Sequence, residues 1–248
     1  MSQRVAIVTG GLGGLGLEIC RTLARNGRTV IAADLGLRTE RVAQFREETK
    51  EYDGQIRFEH VDVADFASCG DLIARVNEQL GPVDILVNGA GITRDGTLRK
   101  MEAQQWHDVL NINLDGVFNM CRHVVDAMCD RNFGRIVNIS SVNGQTGQFG
   151  QTNYSAAKAG MHGFTMAMAR EVARKGVTVN SVSPGYCRMQ LVMQIPENVR
   201  NDIIAKIPVG RLGEPSEIAR TVEFLTAEDA GFITGANIPV NGGYFMDF

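Results

Sequence analysis

The chain has 248 residues, 44% of them hydrophobic and 21% charged, with a net charge of −3. That length and balance suit one α/β domain spanning 1–248, and the lack of any basic block argues against nucleic acid as a partner. The apolar runs are short and broken by glycine or charge, so no membrane partner is expected, and the first residues enter an apolar run without a leader-like segment, which predicts a cytoplasmic protein.

Short apolar strands alternate with longer helical stretches. Residues 4–9 read as a strand and 15–26 as a helix. A second strand at 29–34 precedes a charged helix at about 40–52, and 55–60 reads as a third strand. A helix at 66–80 ends at Gly81-Pro82, followed by a strand at 84–88 and a long helix at about 103–129. A strand at 134–141 leads to a helix at 154–175 stopped by Gly176, then to a strand at 177–182. Helical stretches near 198–205 and 215–227 and a strand at 237–240 complete the chain. This alternation, with about seven buried-looking strands, predicts a single Rossmann-type doubly wound parallel sheet with helices on both faces. The least regular portion, 184–214, is expected to contain a substrate-covering segment near 186–214.

Between the first strand and its helix lies Thr9-Gly-Gly-Leu-Gly-Gly-Leu-Gly16. Glycines at 10, 14 and 16 permit a tight turn and close backbone approach to a pyrophosphate at a helix N-terminus. The spacing is not the common G-x-G-x-x-G, and a plain tight turn is the alternative reading. Asp34 closes the second strand, where a carboxylate binds both adenosine ribose hydroxyls and repels a 2′-phosphate. The expected cofactor is therefore NADH/NAD, with NADPH used at lower efficiency if Arg38 and Arg41 pair with its phosphate. The alternative is that Asp34 only opens the following turn.

Tyr154 and Lys158 lie four residues apart and share one face of a helix. An ammonium there would favour the phenolate and lower the tyrosine from its usual pKa near ~10. A tyrosine so tuned gives a proton to a ketone or takes one from an alcohol. Five cysteines and four histidines are dispersed without a Cys-x-x-Cys, so reduced structural thiols and no metal site are expected.

These residues resemble the short-chain dehydrogenase/reductase family. Thr9-Gly10-x3-Gly14-x-Gly16 matches its cofactor motif, Asp62-Val63 its adenine contact, Asn88-Gly-Ala-Gly91 its Asn-Asn-Ala-Gly stretch with Gly89 replacing the second Asn, and Pro184-Gly185 its turn beside the nicotinamide. Asn113, Ser141, Tyr154 and Lys158 match its catalytic tetrad. The resemblance implies a cofactor site that also includes Leu12, Leu15, Ala90 and Cys187. In it, Tyr154 is the general acid and Lys158 lowers its pKa and binds the nicotinamide ribose. Ser141 holds the ketone oxygen, with Ser140 the neighbouring alternative, and Asn113 holds a water linking Lys158 to solvent.

Asn88–Asp95, Arg99-Lys-Met101, Val137-Asn-Ile-Ser-Ser-Val-Asn-Gly-Gln145, Gly147-Gln-Phe-Gly-Gln-Thr-Asn-Tyr154 and His162-Gly-Phe-Thr165 look like the family's acetoacetyl-CoA reductases of polyhydroxybutyrate-making bacteria. The similarity implies an acyl-CoA thioester substrate, an acyl pocket lined by Gln148, Phe149, Gln151 and Tyr186, and a homotetramer built on the two long helices. The competing member is a 3-oxoacyl-[acyl-carrier-protein] reductase. Arg94, Arg99, Lys100 and Arg188 are candidates for the CoA phosphates. Two departures stand out: Asp34 resembles the NAD-type members, whereas many acetoacetyl-CoA reductases use NADPH, and Met189 replaces a threonine that helps hold the carboxamide.

Overall fold

The computed structural model describes residues 3–37 and 39–246, with Leu191 described by its backbone alone. Arg38, one of the two arginines near Asp34, lies outside the described residues.

The chain runs β1 (Val5–Thr9), α1 (Gly14–Arg25), β2 (Thr29–Asp34), α2 (Thr39–Glu48), a 3₁₀ turn at Lys50–Tyr52, β3 (Ile56–His60), α3 (Phe66–Leu80) and β4 (Ile85–Asn88). It continues through α4 (Ala103–Leu110), a π-helical segment at Asn111–Asp115, α5 (Gly116–Asp130), β5 (Gly134–Ile139), α6 (Asn143–Thr146) and α7 (Thr152–Val172). A 3₁₀ turn at Ala173–Lys175, β6 (Val177–Pro184), α8 (Gln190–Met193), α9 (Glu197–Ala205), α10 (Pro215–Leu225) and β7 (Asn237–Val240) follow.

Seven parallel strands form one sheet in the order β3-β2-β1-β4-β5-β6-β7. Every residue of β1, β4, β5 and β6 is buried, as strands covered on both faces must be. Strand alternation divides the core. Ile7, Leu86 and Ile136 face Leu72 of α3, Met120 of α5 and Met161 of α7. Ala6, Val8, Ile85, Val87 and Val137 face Ile19 and Leu23 of α1 and Ile218 and Val222 of α10. The strand order reverses between β1 and β4, which opens the crevice where ligands bind in doubly wound sheets.

Helix ends follow local chemistry. Asp65 caps α3 by accepting from the N–H groups of Ala67 and Ser68, and Gly81, at φ +93°, ends it before Pro82. Glu214 and Glu217 form a capping box at α10, with Pro215 in its first turn.

Three elements differ from the sequence reading. The helix expected over 103–129 is interrupted by one π turn between α4 and α5. β5 ends at Ile139, so Ser140 and Ser141 follow the strand, and β6 extends through Pro184. Beyond β6 the chain forms its own small apolar cluster, in which Val192, Ile207 and Leu212 gather Tyr186 and Tyr244, and a bridge between Cys187 and Gly213 closes the base of the segment. No helix among the described residues is long and apolar enough to cross a membrane.

Candidate active site

The candidate residues lie at the ends of β1 to β6 or on the segments that follow them, in the π segment and on α7. At β1, Gly10 adopts φ +69°, and a Cβ there would lie 2.8 Å from the carbonyl oxygen of Gly89. A Cβ on Gly16 would fall 2.2 Å from the carbonyl oxygen of Gly10, so this glycine is demanded by the turn itself. Gly14 is different: a Cβ there would meet nothing within 4 Å. It opens α1, whose N-terminus no side chain caps. Uncapped N–H groups beside a space free of protein atoms suit an anion, so the turn fits a dinucleotide pyrophosphate.

Asp34 ends β2, and its carboxylate accepts from the N–H of Leu12 at 3.2 Å and of Leu35 at 2.8 Å. Arg41 is engaged elsewhere, donating to the carbonyl of Leu12 at 2.8 Å and pairing with Glu48 at 2.8 Å. Asp62 accepts from the N–H of Ala64 at 2.9 Å, and the carbonyl of the buried Val63 accepts from Asn119 at 2.8 Å.

Beyond β4 the backbone is held by a residue the sequence reading used only as part of a motif. The buried Thr9 hydroxyl accepts from the N–H groups of Gly89 and Ala90, at 3.1 and 3.2 Å. Asn88 donates to Asn138 at 2.8 Å, which donates to Thr165 at 2.9 Å, in a buried chain from β4 through β5 to α7. Gly91 lets the backbone pass Asn113 and Lys158: a Cβ there would lie 3.3 Å from Asn113 Oδ1 and 3.7 Å from Lys158 Nζ.

The tetrad therefore converges from three places: the π segment, the turn after β5 and α7. Asn113 sits in the π segment, fully buried, and its side-chain amide pairs both ways with Ile92, accepting at 2.8 Å and donating at 3.0 Å. Lys158 is buried on α7 and donates to the carbonyl of Ile139 at 2.7 Å. Its Nζ lies 5.7 Å from the centre of the Tyr154 ring. The two serines separate as strand alternation implies. Ser140 turns inward and donates to the carbonyl of Lys158 at 2.9 Å, whereas Ser141 accepts from the N–H of Asn143 at 3.1 Å.

The electrostatics depart from the helix-spacing argument. Burial pushes Tyr154 above its ordinary value, the Ser141 hydroxyl pulls it back in part, and Asp95 adds to the rise. Burial also pushes the Lys158 ammonium down to about 8. Desolvation of both groups outweighs their mutual proximity.

The residues expected to line the acyl pocket divide. Gln148 and Phe149 are exposed on the loop before α7, with Phe149 at 87%. Gln151 is a strut: its amide donates to both oxygens of Asp95, at 3.0 and 3.1 Å, and its oxygen accepts from Asn143 at 3.0 Å. Asn153, fully buried, reinforces that join by donating to the carbonyls of Arg94 and Gln105, at 3.0 and 3.1 Å. Its position directly before Tyr154 was the one sequence signal for this role. Tyr186 meets Tyr244 edge-on at 5.6 Å.

The turn after β6 is held by backbone hydrogen bonds of its own. The N–H of Gly213 donates to the carbonyl of Tyr186 and its carbonyl accepts from the N–H of Arg188, at 2.9 and 2.7 Å, while the carbonyl of Cys187 accepts from the N–H of Met189 at 2.8 Å. Pro184 is buried, and Gly185 is pressed against Asn241, whose Cα would lie 2.8 Å from an added Cβ. Met189 is half-buried against the core on the α1 side.

A family model described as short chain dehydrogenase matches residues 4–200. An acetoacetyl-CoA reductase of Rhizobium meliloti is 54% identical over 98% of this chain and 99% of its own, and one of Allochromatium vinosum is 51% identical over the same shares. A 3-oxoacyl-[acyl-carrier-protein] reductase of Pseudomonas aeruginosa is 41% identical over 99% of both chains. A nicotinamide dinucleotide cofactor follows from that membership: the chain belongs to the short-chain dehydrogenase family.

Proposed function

We propose that this chain is an acetoacetyl-CoA reductase that uses NADH to form (R)-3-hydroxybutyryl-CoA, the precursor of polyhydroxybutyrate, in the cytoplasm. The observation that carries the reading is the convergence of Asn113, Ser141, Tyr154 and Lys158 at the carboxyl edge of the sheet, in a chain about half identical to acetoacetyl-CoA reductases.

Reduced nicotinamide, when bound, supplies the hydride for the C3 ketone. Tyr154 gives its phenolic proton to the ketone oxygen, and the burial that raises its pKa keeps it protonated until then. Ser141 holds that oxygen as negative charge develops on it. Lys158, fixed on the Ile139 carbonyl, orients the nicotinamide ribose and stabilises the tyrosinate that remains. Ile92 pins both ends of the Asn113 amide, and Asn113 so fixed holds the water that returns a proton through Lys158. The N–H of Cys187, whose carbonyl is taken by Met189, holds the carboxamide in place of a hydroxyl at Met189.

The preference for NADH rests on Asp34. Two N–H groups fix its carboxylate toward the glycine turn, and Arg41 is already occupied by Leu12 and Glu48. A homotetramer is supported by α7, where Ala156, Ala159, Gly160, Gly163, Met166 and Ala167 leave an exposed face of small and apolar side chains.

Initial rates of acetoacetyl-CoA reduction with NADH and with NADPH test the reading, with Asp34→Ala in parallel. The expected result is at least ~10-fold higher kcat/KM with NADH, narrowed in the variant. Equal rates with both cofactors remove the role of Asp34 and keep the enzyme. Turnover of acyl-carrier-protein thioesters alone moves the substrate to that class.

A further inference from the structure

The turn after β7 brings a second tyrosine against Tyr186. Asn241, buried at the end of β7, knots this turn: its side-chain amide donates to the Phe245 carbonyl and accepts from the N–H of Gly243, each at 2.9 Å, and its main-chain carbonyl accepts from the N–H of Tyr244 at 3.2 Å. Gly242 adopts φ +64°, and a Cβ there would lie 2.8 Å from Ile207, so only glycine lets the turn press against the covering segment. The N–H of Val209 donates to the Gly242 carbonyl at 3.1 Å. The turn is thus fixed to the end of that segment and delivers Tyr244 to one place.

That place is the ring of Tyr186. The main chain of Tyr186 is held on both sides: the N–H of Gly185 donates to the Val240 carbonyl at 3.0 Å, and the N–H of Gly213 donates to the Tyr186 carbonyl at 2.9 Å. What remains free is rotation of the ring. The ring meets Tyr244 edge-on, with centroids 5.6 Å apart and planes at 73°, an arrangement that aromatic pairs favour. The cluster around the pair is otherwise aliphatic and offers no such directional preference. Tyr186 also borders a cavity of about 90 Å³ together with Val209, Ile218 and Asn241, so its ring has room to shift once the Tyr244 ring is withdrawn.

We propose that Tyr244 is a positioning residue for substrate recognition, setting the ring of Tyr186 in the acyl pocket. This rests on the acetoacetyl-CoA reading above and on Tyr186 lining the pocket of that substrate. Tyr244 acts through the Tyr186 ring alone. The tetrad and the glycine turn lie on other elements, so the chemical step and cofactor binding stay with them.

The experiment compares Tyr244→Leu, which removes the ring and keeps apolar bulk, with Tyr244→Phe, which keeps the ring, and repeats Tyr244→Leu in a Tyr186→Leu background. An edge-on aromatic pair corresponds to a change of about 2- to 13-fold in an equilibrium constant. KM for acetoacetyl-CoA should therefore rise about 3- to 10-fold in Tyr244→Leu, with kcat and the Kd for NADH within about twofold of wild type. Tyr244→Phe should restore KM to within about twofold. In Tyr186→Leu the ring is already gone, so adding Tyr244→Leu should change KM by less than about twofold. Melting temperatures check folding, and Tyr244→Met takes the place of the leucine variant if that one does not fold. An unchanged KM in Tyr244→Leu overturns the proposal. So does the same rise in the Tyr186→Leu background, or an equal rise in the Kd for NADH, either of which marks general loosening of the turn. If wild type reduces acetoacetyl-[acyl-carrier-protein] and not acetoacetyl-CoA, the substrate reading falls, and the same KM comparison on that thioester decides the role of Tyr244.

Discussion

Two glycines of one turn should respond to the same substitution in opposite ways. Gly14→Ala adds a methyl group with no protein atom within 4 Å, whereas Gly16→Ala drives one to 2.2 Å from the Gly10 carbonyl oxygen. At Gly14 the protein alone loses nothing and gains helix propensity, up to about 1 kcal/mol at the start of α1. For a chain of this size that is a rise in melting temperature of at most ~4 °C. At Gly16 the clash is with backbone that cannot rotate away, and overpacking of this kind costs ~1–3 kcal/mol, a fall of roughly 2–12 °C. If the space before Gly14 belongs to the pyrophosphate, its methyl group displaces a charge-assisted hydrogen bond worth ~1.5–3 kcal/mol, and NADH binding weakens about 10- to 100-fold. Melting temperatures with and without NADH, together with NADH titration by fluorescence, read both effects. The NADH-induced rise should shrink in Gly14→Ala although the free protein is as stable as wild type or more so. Wild-type NADH affinity in Gly14→Ala would refute the placement of the pyrophosphate, because the space would then be ordinary solvent.

Tyr154→Phe keeps the ring and removes the transferable proton, so kcat should fall ~10²- to 10⁴-fold with NADH affinity within a factor of about two, measured by steady-state rates and fluorescence titration. Lys158 is depressed from its unfolded value of 10.5 to about 8, so the unfolded chain binds more protons between those values and stability rises with pH across that window. Below pH ~8 the full penalty of about 3 kcal/mol is present, offset by about 1 kcal/mol from the Ile139 hydrogen bond. Lys158→Met should therefore be inactive yet melt higher than wild type at pH 7, with the difference closing toward pH ~10; a variant less stable at pH 7 would contradict this account.

How much of this was legible in the sequence depended on the range of the interaction. The seven strands follow from runs such as Val5–Thr9 and Ile85–Asn88, whose burial on both faces needs no long-range information to anticipate. The glycine turn is equally local, since Gly10 and Gly16 meet within it. Ser141 was distinguishable from Ser140 by alternation, although the strand ends before either.

What escaped the sequence is what partners distant in the chain decide. Asn111 to Asp115 carry the apolar periodicity of an unbroken helix, and nothing local marks the extra residue of the π turn. Its evident cause is Ile92, 21 residues away, whose backbone N–H and carbonyl both pair with the Asn113 amide. Gln151, expected to line the acyl pocket, also donates to Asp95, 56 residues earlier, a contact nothing local announces. The same reason corrects the tyrosine. Four-residue spacing identifies Lys158 as its neighbour, but the pKa of Tyr154 follows how deeply surrounding elements bury both groups, and burial acts against each charge. A buried tyrosine held protonated beside a lysine that titrates near 8 is a proton donor at rest, so the desolvation that defeats the simple spacing argument also favours the reductive direction.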